Sequence, residues 1–74
     1  MTAPVVNGED MKRIRHQVGL STLELGRVFG YPGADNTVSF TIRRYESGQR
    51  PLPPWLGRFM LLLERHGVPE DFQS

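Results

Sequence analysis

"TVSFTIRRYESGQRPLP", residues 37–53, is the stretch on which the reading of the chain turns. Val38, Ile42 and Tyr45 recur at i, i+4 and i+7, the spacing that lines one side of a helix. Ser39, Phe40, Arg43, Arg44 and Ser47 then share the opposite side, and Gly48 offers a left-handed stop. The β-branched Thr37, Val38, Thr41 and Ile42 also suit a strand, but the spacing and the closing glycine decide for a helix. Beyond it, "QRPLPP" (49–54) reads as a rigid connector, and Pro54 fits the first turn of a further helix. Before it, "YPGADN" (31–36) is turn chemistry, with Asp35 or Asn36 suited to cap the helix that follows.

Two helices are expected upstream of that turn. Asn7 or Gly8 can cap the first, whose opening turn holds Glu9 and Asp10 and whose Met11, Ile14, Arg15 and Val18 share one face up to Gly19. Ser21 and Glu24 form a capping box for the second, expected over 22–29 with Leu25, Val28 and Phe29 as its apolar stripe. Gly26, beside that stripe, suits the close approach of a neighbouring helix, at a cost of about 1 kcal/mol in helix propensity. The helix after Pro54 carries Trp55, Leu56, Phe59, Met60, Leu61, Leu62 and Leu63 and ends near His66 and Gly67. That is more apolar surface than one stripe needs. Trp55, Phe59, Leu62 and Leu63 are therefore divided between the domain's own core and a surface for a second subunit. Residues 1–6 read as a disordered lead, 7–67 as one domain and 68–74 as a tail too short to form an element.

At 74 residues with no cysteine, the chain relies on apolar packing, without disulfides or thiolate metal sites. Neither a signal peptide nor an apolar run long enough to cross a bilayer is visible, and the chain reads as a cytoplasmic protein without membrane contact. The net charge of +1 is unevenly spread. Residues 11–58 hold eight basic side chains against three acidic ones, Glu24, Asp35 and Glu46, which makes a cationic footprint on a small surface. His16 and His66 have no metal-ligand spacing, and no Gly-rich phosphate loop or nucleophile–base pattern occurs. No cofactor, metal or catalytic site is expected, and the chain is not read as an enzyme.

A capped helix, a turn and a third helix with a cationic outer side form a helix-turn-helix plan. "MKRIRHQVGLSTLELGRVFG" (11–30) followed by "TIRRYESGQRPLP" (41–53) resembles the Cro/C1-type (XRE family) helix-turn-helix regulators over roughly residues 9–66. The resemblance implies an all-α, lambda-repressor-like domain of four to five helices that binds double-stranded DNA as a homodimer. It also implies a bacterial or phage setting, at the nucleoid, with repression of the protein's own operon, as in small phage regulators, anti-CRISPR-associated regulators and antitoxins. Carried over by position, Ser39, Phe40, Arg43 and Arg44 would read or flank base edges. Ser21, Thr22, Ser47, Gln49 and Arg50 would hold the DNA backbone, and Arg15 with Glu46 would form an internal salt bridge. The turn after Gly30 is longer than the family's usual one. Either that loop reaches DNA or the third helix begins early, which adds Asn36 and Thr37 to the backbone contacts.

Arginine's planar fork can donate two hydrogen bonds to guanine O6 and N7, worth about 1–3 kcal/mol of base discrimination, and it also pairs with phosphate. Arg43 is assigned to a base and Arg44 to a base or a phosphate. Phe40 either touches a thymine methyl or belongs to the core. A repressor of this kind reads an inverted repeat with half-sites about 34 Å apart. The alternative is a protein-interaction module whose apolar fourth helix takes a toxin, a sigma factor or another protein partner.

Overall fold

Two short helices begin with reciprocal capping. The computed structural model describes residues 6–72, and the first helix, α1, spans Gly8–Gln17. The Asp10 amide donates to Asn7 Oδ1 at 2.9 Å while the Asn7 amide donates to the Asp10 carboxylate. Two orphan N–H groups are thereby satisfied at a helix start. In α2, Thr22–Val28, the Glu24 amide donates to Ser21 Oγ at 3.1 Å and the Ser21 amide to Glu24 Oε1 at 2.8 Å. The Ser21 amide, and after it the Ser21 hydroxyl, holds the Glu24 carboxyl below its ordinary value of 4.5. Its contribution to α2 is therefore present at neutral pH and is lost as pH falls through that lowered value.

The other two helices have no side-chain cap. Helix α3 spans Asp35–Glu46 from an N-cap at Ala34, and α4 spans Pro54–His66 with Pro54 in its first turn. The third helix thus starts early. Asp35 does not cap it, and neither does Asn36; both lie inside its first turn. Arg27 instead draws Asp35 back toward α2 with a 2.7 Å ion pair, and donates to the carbonyls of Tyr31 at 2.9 Å and Gly33 at 2.8 Å. One guanidinium closes the long turn.

The described residues form an all-α domain. Met11 and Ile14 of α1, Leu25 and Val28 of α2, Ile42 and Tyr45 of α3, and Leu56, Met60 and Leu63 of α4 make one buried cluster. Helices α2 and α3 pack most intimately, and α1 lies against both α3 and α4. Gly26 permits the first of these contacts, since a side-chain carbon there would overlap Val38 Cγ1. Phe29 joins α4 to the end of α2 through an edge-to-face contact with Phe59, ring centroids 5.2 Å apart. No helix of the described residues is long and apolar enough to cross a membrane.

Two boundary expectations need correction. The expected lead does not include Val6, which is half-buried against the core and lies beside Gly57. Val6 occupies the position before the Asn7 cap from which an apolar residue staples a helix start. Residues 1–5 lie outside the described residues. The tail also forms an element, a single 3-10 turn at Glu70–Phe72.

Candidate nucleic-acid interface

The inner side of α3 fixes what its outer side can present. Val38, Ile42 and Tyr45 are buried, which leaves Phe40, Arg43 and Arg44 exposed on the far side of the helix. Phe40 retains 57% of its surface, so it is not a core residue. The Arg44 guanidinium lies over its ring, 5.7 Å from the centroid. This pair at i, i+4 holds the arginine along the helix surface while keeping it charged. Among the described residues neither Arg43 nor Arg44 takes part in an ion pair. Asn36, Thr37, Ser39, Phe40 and Arg43 line one shallow depression along α3.

The acids of the middle segment are all engaged elsewhere. Glu24 caps α2, Asp35 pairs with Arg27, and Glu46 pairs with Arg15. The last of these is nearly dry, the two side chains being 10% and 7% exposed. Arg15 Nε donates to Glu46 Oε2 at 2.6 Å, Nη2 to Oε1 at 3.2 Å, and Nη1 to the Leu20 carbonyl at 3.0 Å. The expected bridge between the first and third helices is present, with the fork geometry that makes arginine suited to a partly buried carboxylate. Sequence reasoning counted Arg27 among the surface cations, but its fork is occupied by the turn. An aspartate eight residues along carries no helical spacing signal.

The remaining candidates divide. Thr22 and Ser39 are half-buried and their hydroxyls hydrogen-bond to each other at 2.5 Å, tying the start of α2 to α3. Each hydroxyl retains limited capacity for another partner. Ser21 is exposed with its oxygen engaged in the capping box. Asn36 and Thr37 are exposed on the first turn of α3, and Ser47 and Gln49 are exposed just beyond its end. Ser47 Oγ donates to the Arg44 carbonyl at 3.2 Å. Arg50 folds back over the Tyr45 ring, 5.5 Å from its centroid, in the loop opened by Gly48 at φ +82°. Near it, burial and a hydrogen bond with Tyr45 push the Tyr31 hydroxyl above its usual value. The fourth helix splits as well: Leu63 is core, Phe59 is partly buried, and Trp55 and Leu62 are each 57% exposed. Trp55 and Leu62 are two turns apart on one outer strip.

Among the described residues no group of three His, Asp or Glu side chains is arranged to hold a metal ion. Comparison with protein-family models, with curated proteins and with solved structures returns no match to the chain.

Proposed function

We propose that the protein is a sequence-specific DNA-binding regulator that inserts α3 into the major groove. The observation that carries this reading is the uneven fate of the charges. Glu24, Asp35 and Glu46 are all held by intramolecular partners, while Arg43 and Arg44 stand side by side on the outer face of α3 without an ion pair among the described residues. A helix fits the major groove, and exposed arginines on it can meet guanine edges and phosphates. Arg43 reads a base, Arg44 a base or a phosphate, and Phe40 the methyl of a thymine. Asn36, Thr37, Ser47, Gln49 and Arg50 flank them on the backbone, with Ser21 and Thr22 at the start of α2.

The exposed strip of Trp55 and Leu62 supports pairing of two copies; the resemblance, not the strip, suggests that the pair reads an inverted repeat and, in a bacterial or phage setting, represses the protein's own operon. The same strip supports a second reading, a protein-interaction module in which α4 takes a partner and DNA is secondary. Salt separates the two. A gel shift with excess unrelated competitor, run at two salt concentrations on duplexes selected from a random pool, should give a competitor-resistant complex that weakens steeply as salt rises. A protein whose only interface is dry and apolar would leave the duplexes unshifted at either concentration.

A further inference from the structure

Helix α1 meets the end of α3 along one stripe formed by Gly8, Lys12 and Arg15 at i, i+4 and i+7. At one end of the stripe a side-chain carbon on Gly8 would overlap the carbonyl oxygens of Tyr45 and Glu46, so the two backbones touch there. At the other end Arg15 clasps the Glu46 carboxylate. Lys12 lies between them, is exposed, and lines a shallow depression with Arg43, Glu46 and Ser47. Arg43 also lines the neighbouring depression with Asn36, Thr37, Ser39 and Phe40. One arginine is therefore common to a depression along α3 and a second one that runs off α3 onto α1.

The charge of the second depression follows from its partners. Its acid, Glu46, already shares its carboxylate with Arg15, so Lys12 and Arg43 leave the depression cationic. Among the described residues no acidic side chain forms an ion pair with either of them. Lysine is a compact, strongly hydrated point charge, suited to a phosphate oxygen and poorly suited to reading a base edge.

We propose that Lys12 binds a backbone phosphate of DNA in the depression it shares with Arg43 and Ser47, extending the interface from α3 onto α1. This assignment rests on the DNA-binding reading above. Arg43 stands at the boundary, with base edges on the α3 side and the phosphate on the α1 side. Lys12 accordingly sets how deeply and at what angle α3 sits, without contributing to sequence choice.

The test uses the full chain, a random-sequence pool of duplexes and the duplexes it retains. Affinity is measured across a salt series for the unaltered protein, Lys12→Ala, Lys12→Arg and Arg43→Ala. Lys12→Ala should make the negative slope of log affinity against log salt shallower by about 0.9 and weaken binding about five-fold near 0.15 M salt. The loss should be equal for retained duplexes and for versions with altered bases, whereas Arg43→Ala should reduce the difference between them. Lys12→Arg should keep the slope, and the thermal midpoint of Lys12→Ala should match that of the unaltered protein. An unchanged slope in Lys12→Ala, beside salt-sensitive binding by the unaltered chain, would overturn the Lys12 assignment and leave the DNA reading standing. A fallen midpoint would make Lys12 structural and overturn it too. If the unaltered chain bound no duplex at any salt, both would fall together.

Discussion

The two faces of α3 hold charge in opposite ways. On the inner side, which buries Val38, Ile42 and Tyr45, Glu46 is nearly dry and clasped by Arg15. On the outer side, Arg43 and Arg44 are exposed, and Arg44 lies over the ring of Phe40. A single helix thus carries two acids committed to architecture, Glu46 on the inner side and Asp35 at its start, and two arginines that take part in no ion pair among the described residues. Substitutions on the two faces should separate stability from binding.

The largest effect is expected at Arg15→Ala. It strands the Glu46 carboxylate in a nearly dry site, a loss of about 3–5 kcal/mol, which is most of the stability of a domain this small. Urea unfolding would measure it. Replacing both partners together with apolar residues should return much of the loss, because the stranded charge disappears with its mate. Next comes Gly26→Ala, where the new carbon meets the stiff, buried Val38. Overpacking of about 1–3 kcal/mol exceeds or roughly cancels the gain of about 1 kcal/mol in helix propensity, so the urea midpoint should fall or, at best, stay level.

At the seam between the faces, Ser39→Ala removes the partner of the half-buried Thr22 hydroxyl and should cost about 1 kcal/mol. The smallest stability change belongs to the outer face. Arg43→Ala with Arg44→Ala should move stability by no more than about 0.5 kcal/mol, while specific DNA binding in a gel shift is lost. Equal losses of stability on both faces would end the comparison, since the outer arginines would then be part of the architecture as well.

Much of this was legible from residue spacing. The inward set Val38, Ile42 and Tyr45, the Ser21–Glu24 box and the Pro54 start all follow from local rules that act within one turn of helix. The bridge of Arg15 and Glu46 came from the resemblance, because nothing local links positions so far apart in the chain. The start of α3 was misread for a physical reason. Asp35 has the chemistry of a cap, but Arg27 competes for it, and the helix opens at Ala34 without side-chain help. Val6 was hidden by its place in a lead of small residues that contains Pro4, although its side chain packs against the core beside Gly57 of α4. Gly8 looked like a cap and is instead a point of backbone contact with α3, which only the packed helices reveal. Lys12 was visible only as one more basic residue, and its value depends on that same approach of α1 to α3.

The clasp that closes the turn also has a consequence for how the sequence can drift. Two of the three acceptors of Arg27 are main-chain carbonyls, those of Tyr31 and Gly33, and these oxygens exist whatever side chains the turn carries. Pro32 and Ala34 are exposed and contribute no acceptor to it, whereas Gly33 adopts φ +110°, a conformation that other residues rarely take. Divergent copies of this chain are therefore expected to vary at 32 and 34 and to hold 27, 33 and 35, keeping the angle between α2 and α3 while the lettering of the turn changes.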